Sequence, residues 1–369
     1  MTDTFSPISR LLHHRTQGLV KGDPVSLPII ASSTFHLPGE PDGSHFYGRN
    51  GNPTVEAVEA EIGILEDADV VCFPSGMAAI ASIFYSVLRP GDTVLVPSDG
   101  YYNVRNLLAA QFEPMGVAMR TCPTADMAEA DMTGCRLVLI ESPSNPGLAV
   151  CDIAKTAQRA KAAGALVMAD NTTATPLCQQ PLDLGADFSV LSDTKAMAGH
   201  SDVLCGHVAT RDAKLFNGVK TWRRLAGAIV GPFDAYLLHR GLETLEVRLG
   251  RMNANALAVA EAVQGHKAVL AVNYPGLGND PFHQTARRQM RGFGPIVSFT
   301  LSSQANADGF ISACPLLSPA TSFGGVHSSA ERRARWGDSV PEGFVRFAAG
   351  IEPTRDLVAA VTQALDTLS

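Results

Sequence analysis

The chain has 369 residues and a formal charge of −7. That length supports more than one domain with an ample core, and an acidic balance without a dominant basic patch argues against nucleic acid as a main partner. No apolar run approaches the roughly 20 residues that span a bilayer, and the first 18 residues lack a hydrophobic signal core, so a cytoplasmic protein without a membrane partner is expected.

Residues 1–54 have little periodicity and many Pro, Gly and Ser, and read as an arm. The arm ends in His45-Phe-Tyr-Gly-Arg-Asn-Gly-Asn-Pro-Thr54, a mixture of aromatic and cationic groups suited to docking, with a second subunit as the candidate partner. A helix is expected from Thr54 as N-cap, with Val55, Val58, Ile62 and Leu65 on one face. Strands then alternate with helices: strands at 70–73, 93–96, 117–121, 137–140, 165–169 and 188–191, helices at 77–88, 103–111 and 153–163. Short buried strands alternating with helices predict an α/β fold with a mainly parallel sheet covered on both faces. From Pro232 one long helical pattern runs to Val263, followed by strands at 269–272, 296–301 and 344–348 and a closing helix at 356–368. The expected division is an arm (1–54), a large domain (55–231) and a smaller C-terminal α+β domain (232–369). Seven scattered cysteines with no CxxC pair read as buried free thiols. Arg332, Arg333 and Arg335 read as solvated or salt-bridging groups, and Trp336 as a candidate border of a substrate entrance.

Two residues organise the chemistry. Asp170 follows one apolar strand candidate and Lys195 follows the next, so both emerge near the C-terminal ends of strands, where open parallel sheets bind ligands. This suits pyridoxal phosphate (PLP): a lysine forms a Schiff base with the aldehyde and an aspartate keeps the pyridine nitrogen protonated. Ser75-Gly-Met77 lies at a strand-to-helix turn, where backbone N–H groups and the helix dipole favour a phosphate. Ser192 and Thr194 add hydroxyls, and Arg49 balances the remaining charge. His200-Ser201-Asp202 are too close in sequence to serve as nucleophile, base and orienter, and no metal site is expected.

Taken in order, Tyr47-Gly-Arg-Asn-Gly-Asn-Pro-Thr54, Ser75-Gly-Met77, Glu141-Ser-Pro-Ser-Asn-Pro146, Asp170-Asn171, Ser192-Asp-Thr-Lys195 and Gly199-His-Ser-Asp202 resemble the Cys/Met metabolism family of PLP enzymes. The likeness covers nearly the whole chain, through Ser322-Phe-Gly-Gly325 and Val345-Arg-Phe-Ala-Ala-Gly-Ile-Glu352. It implies the fold type I, aspartate-aminotransferase-like architecture and a homotetramer built from two catalytic dimers. By position it implies Lys195 as the cofactor lysine and Asp170 as the partner of the ring nitrogen. Ser75, Gly76, Met77, Ser192 and Thr194 would hold the phosphate, with Tyr47 and Arg49 reaching in from the neighbouring subunit. Asn145 would bond the ring 3'-oxygen, Arg346 the substrate α-carboxylate, and Ser322 would stand on the site wall. The stacking aromatic is Tyr101 or Tyr102, with Tyr101 favoured. Lys195 then carries protons, with Tyr101 or Tyr47 acting at the substrate nitrogen or the departing sulfur.

The reaction is less sharply marked. His327 stands where the family's γ-lyases and synthases commonly have a glutamate that receives the distal amino group of cystathionine. Methionine γ-lyases usually place a cysteine beside the stacking tyrosine, and residues 101–105 contain none. Gly231-Pro-Phe-Asp-Ala235, Val326-His-Ser328 and Arg332-Arg-Ala-Arg-Trp336 lean towards a cystathionine γ-lyase or β-lyase. The expected function is PLP-dependent cleavage of L-cystathionine, or a related small sulfur amino acid, to a thiol amino acid, an α-keto acid and ammonia. Cystathionine γ-lyase is favoured; cystathionine γ-synthase, cystathionine β-lyase and methionine γ-lyase are the alternatives, with a non-catalytic PLP-binding protein as the remote one.

Overall fold

The computed structural model describes residues 4–368. A short helix, α1 (Pro7–His14), precedes an irregular stretch whose β-bridge pairs Thr34 with Tyr47. Helix α2 (Pro53–Glu66) is capped by Asn52, not Thr54: Asn52 Oδ1 accepts from the backbone N–H of Thr54 at 2.9 Å and of Val55 at 3.4 Å. Pro53, which has no N–H to satisfy, suits the first helical position and displaces the start one residue upstream of Thr54. Thr54 Oγ1 is used elsewhere, donating to Pro28 O at 2.8 Å and accepting from Ile30 N at 2.9 Å, so it ties the arm to the helix.

The large sheet is built from β1 (Asp69–Phe73), β2 (Thr93–Pro97), β3 (Ala118–Cys122), β4 (Cys135–Glu141), β5 (Leu166–Asp170), β6 (Phe188–Leu191) and β7 (Gly206–Thr210), in the order β1-β7-β6-β5-β4-β2-β3. Strands β6, β5, β4, β2 and β3 run parallel, and β7 is antiparallel to both β1 and β6. Helices α3 (Gly76–Val87), α4 (Tyr102–Leu107), α5 (Ile153–Ala162) and α6 (Thr175–Cys178) fall between these strands. The helix expected at 103–111 ends at Leu107 and continues as a π-helical turn over Leu108–Phe112. Phe73, Phe84, Phe112 and Phe188 are buried in one apolar cluster, each worth about 1.5–3 kcal/mol on burial.

After α7 (Ala213–Ala226), the long helical pattern divides into α8 (Pro232–Leu242) and α9 (Leu245–Gln264). A close approach accompanies the break: a Cβ on Gly241 would lie 2.4 Å from Ala198 O, and Arg248 Nη2 donates to Gly241 O at 2.6 Å. The smaller sheet comprises β8 (Val269–Asn273), β9 (Ile296–Leu301), β10 (Ser329–Arg332) and β11 (Phe344–Ala348), antiparallel throughout in the order β10-β11-β9-β8. Helices α9, α11 (Gln304–Ala313) and α12 (Thr354–Asp366) cover it, with Phe299 and Phe310 edge to face at 5.3 Å, while α10 (His283–Gln289) lies between β8 and β9 in sequence. No helix among the described residues is long and apolar enough to cross a membrane.

Candidate active site

A cavity of about 390 Å³ opens where the C-terminal ends of β4, β5 and β6 meet the start of α3, with Ser322, Phe323 and Arg346 contributed from the smaller sheet's side. It brings together Ser75, Gly76, Met77, Tyr101, Tyr102, Asn145, Asp170, Ser192, Thr194, Lys195, Ser322 and Arg346, from seven separate stretches of sequence. Trp336 lies at the same cavity and is 47% exposed. His327 is exposed and does not line it. Tyr47 and Arg49 lie outside it: Tyr47 is 43% exposed, and Arg49 donates to Arg224 O at 3.0 Å, with its guanidinium 5.4 Å from the Tyr47 ring centre.

The phosphate end follows from small residues. Ser75 caps α3, its Oγ accepting from Ala78 N at 3.1 Å. Gly76 has no room for a side chain, because a Cβ there would lie 2.7 Å from Ser192 Cβ. Gly206, opening β7, is equally confined, with a Cβ position 2.6 Å from Gly76 Cα. The helix N-terminus is thereby brought against the Ser192 and Thr194 hydroxyls, which is a donor set for a phosphate. Thr194 Oγ1 is itself held, donating to Cys205 O at 3.1 Å and accepting from Cys205 N at 3.0 Å.

Deeper in the cavity, Asp170 ends β5 opposite Glu141, which ends β4. Burial raises the pKa of Asp170, opposed by hydrogen bonds from Thr172 and by the charge of Lys195. A protonated ring nitrogen placed beside it would favour the ionised carboxylate. Burial pushes Glu141 up to about 8, helped by the Asp170 charge and opposed by hydrogen bonds from Tyr101 N at 2.6 Å and Asn145 N at 2.7 Å. Burial and then the Arg346 charge pull Lys195 down to about 8, against the attraction of Asp170. Its Nζ lies 5.4 Å from the Phe323 ring centre. A lysine so lowered, a half-buried aspartate and a hydroxyl-lined helix N-terminus fit pyridoxal phosphate.

At the other wall, Arg346 on β11 donates to Asn145 Oδ1 at 2.9 Å, to Ser322 O at 3.0 Å and to Glu331 Oε2 at 2.9 Å, while its Nε is buried without a partner. Ser322 has φ of 81°, a left-handed conformation that is uncommon for a residue with a side chain. Glu331, 1% exposed, also accepts from Arg333 at 2.8 Å, from Arg335 at 3.0 Å and from the Trp336 indole. Burial opposes its charge, but Arg346, Trp336 and Arg333 together hold its carboxyl below the ordinary value. Sequence reasoning missed Glu141, Thr172, Glu331 and Arg248. Arg248, on α9, donates to Ala196 O at 2.7 Å and Met197 O at 3.1 Å, fixing the chain just after Lys195. The signal available for Glu331 was a carboxylate beside two arginines in Glu331-Arg-Arg333.

The chain matches the sequence profile of the Cys/Met metabolism PLP-dependent enzymes over residues 10–366. It is 50% identical over 354 residues to a Streptomyces coelicolor protein provisionally named a cystathionine gamma-lyase, covering 94% of this chain and 90% of that one. It is 40% identical over 357 residues to the cystathionine gamma-synthase of Mycobacterium leprae, covering 93% and 92%. Its fold superposes with a TM-score of 0.94 on the cystathionine gamma synthase of Xanthomonas oryzae pv. oryzae in complex with cystathionine, at 35% identity and 98% coverage of both chains.

Proposed function

We propose that this chain, which belongs to the Cys/Met metabolism family of PLP-dependent enzymes, is a carbon–sulfur lyase that cleaves L-cystathionine to cysteine, 2-oxobutyrate and ammonia. The observation that carries the γ-lyase reading is the 50% identity to the Streptomyces coelicolor protein over nearly the full length. A γ-synthase, which would join cysteine to an activated homoserine, is the second reading, favoured by the likeness to the Mycobacterium leprae enzyme.

Bound in the cavity, pyridoxal phosphate supplies an electron sink for the pair left at Cα when its C–H bond breaks. Lys195 would hold the cofactor before substrate arrives and afterwards move the Cα proton; burial and the Arg346 charge, which lower its pKa to about 8 in the cofactor-free chain, favour the neutral amine that this role needs. For γ-cleavage the same amine, after passing the first proton on to the cofactor, would take a second one from Cβ. Asp170 keeps a proton on the ring nitrogen, and Asn145 donates to the ring oxygen. Gly76, Met77, Ser75, Ser192 and Thr194 bind the phosphate. Arg346, which lines the cavity, orients the α-carboxylate with its planar guanidinium. Tyr101, which lines the cavity, would lie against the ring and, with Tyr47 of a neighbouring subunit, would handle the proton at the substrate nitrogen or the departing sulfur. Arg49 joins the phosphate from that same subunit in a cytoplasmic homotetramer of two catalytic dimers; the exposure of Tyr47 outside its own cavity supports this arrangement.

Product analysis with L-cystathionine tests the reading. Formation of 2-oxobutyrate with cysteine is expected; pyruvate instead would indicate β-cleavage. Absence of any keto acid, together with cystathionine formation from an activated homoserine ester and cysteine, would replace the lyase with the synthase.

A further inference from the structure

Between the cavity-lining Ser192 and Thr194 stands Asp193, which does not line the cavity and is 0% exposed. Its Oδ1 lies 2.8 Å from Nδ1 of His207, and Nε2 of the same ring lies 3.1 Å from Glu66 Oε1. His207 and Glu66 are also 0% exposed, and Ser189 Oγ donates to Glu66 Oε1 at 3.1 Å. A carboxylate can only accept, so both ring nitrogens must carry protons for both contacts to be hydrogen bonds, which makes His207 an imidazolium. Burial opposes that charge, and Asp193 and Glu66 outweigh it, holding the imidazole well above its ordinary pKa. The remaining oxygens, Glu66 Oε2 and Asp193 Oδ2, have no partner, so a single imidazolium is the counter-charge for two buried anions. The titratable group facing His207 across β1 is Cys72, its register partner, whose thiol is pushed well up by contact with Cys205 and by burial and so stays neutral.

This ring joins three pieces of chain, one of which lines the cofactor cavity and a second of which packs against it. Glu66 ends α2, Asp193 belongs to the turn carrying Ser192, Thr194 and Lys195, and His207 follows Gly206, the residue packed against Gly76. Cys205, two residues before His207, holds the Thr194 hydroxyl. We propose that Glu66, His207 and Asp193 form a buried charged clasp that positions the Ser192–Lys195 turn for cofactor binding, with His207 as the positioning residue. The proposal rests on the assignment of Lys195 and the two hydroxyls to the cofactor. Removing the imidazolium leaves two buried carboxylates uncompensated, and the turn relaxes away from them.

The test is a titration of cofactor-free protein with pyridoxal phosphate, reading the dissociation constant and the pH midpoint of the bound cofactor's absorption band. His207→Gln is expected to weaken binding at least about tenfold and to shift the midpoint. Adding Asp193→Asn to it removes one of the repelling charges and is expected to restore affinity to within about threefold of wild type. If His207→Gln does not fold, Asp193→Asn alone decides, with binding weakened at least about threefold. Wild-type affinity and midpoint in the single variants, or a lowered unfolding temperature with neither readout moved, overturns the clasp. Lys195→Ala separates the two assignments. If that variant keeps the same band, the lysine assignment falls and the proposal with it; if it loses the band while the clasp variants bind normally, the clasp alone falls.

Discussion

Arg346 and Asn145 lie 201 positions apart and are joined by a hydrogen bond of 2.9 Å. Asn145 belongs to the loop after β4 of the large sheet, and Arg346 stands on β11 of the small one. The bond therefore ties the wall proposed to hold the substrate carboxylate to the residue proposed to hold the cofactor ring oxygen. Replacing the planar fork with a point charge breaks this link: Arg346→Lys is expected to raise KM for L-cystathionine at least about tenfold, with a smaller loss in kcat. Steady-state kinetics measure the split, and an unchanged KM would remove Arg346 from substrate recognition.

Glu331 serves three guanidinium groups and an indole with two oxygens. Glu331→Gln takes away the anion while leaving Arg333 and Arg346 buried, which is expected to cost about 3 kcal/mol of stability. Denaturant unfolding of the holoenzyme reads this directly. The same variant should raise KM, since Arg346 loses the group that aims it.

The lowered pKa of Lys195 has a defined sign in stability. The folded cofactor-free protein holds this amine near 8, below its ordinary 10.5, so the fold disfavours the charged form. The whole cost is present below pH 8 and disappears as pH rises from about 8 through the unfolded value near 10.5. Cofactor-free Lys195→Met, which removes the charge at similar size, should therefore melt above wild type at pH 7, with the gap closing by pH 10.5. Calorimetry of the two cofactor-free proteins across that range checks it; a gap that widens with pH would reverse the reading.

Gly206→Ala would place a methyl group 2.6 Å from Gly76 Cα. Backbone atoms on both sides cannot yield as a flexible side chain could, so the start of α3 must move away from Ser192. Cofactor affinity is expected to fall at least about tenfold, measured by titration of the cofactor-free protein.

The placement of Arg49 outside its own cavity leads to a mixing experiment. Arg49→Ala and Lys195→Ala are each expected to be inactive alone. Random reassociation at equal amounts gives half hybrid dimers, each with one intact site, and so about a quarter of wild-type activity. Recovery of none would place Arg49 in its own subunit's chemistry or outside the chemistry altogether.

Asp170 and Lys195 were legible in the sequence because each closes an apolar strand run, and the strand direction then dictates where the side chain emerges. The alternation of strands and helices made the parallel part of the large sheet equally readable. Strand β7 was not, since Gly206-His-Val-Ala-Thr210 buries a histidine where a strand pattern calls for an apolar residue. The division of the helical pattern at 243–244 was also hidden, because its local accompaniment, the contact of Gly241 with Ala198 O, is made by a residue over forty positions away. Glu331 was obscured for the same kind of reason: its neighbours in sequence looked like solvated charges, and only folding brings Arg346 to it.

The close approaches of Gly76 to Ser192 and of Gly206 to Gly76 also bear on where this enzyme can change its diet. With no room for a Cβ at either Gly76 or Gly206, a substitution at these two positions is expected to be tolerated only at the expense of the cofactor itself. Away from these approaches Tyr102, Leu204, Thr321 and Trp336 also line the cavity, and Leu204 and Trp336 are exposed. A library aimed at altered substrate choice belongs at those four positions, and drift among related chains should accumulate there first.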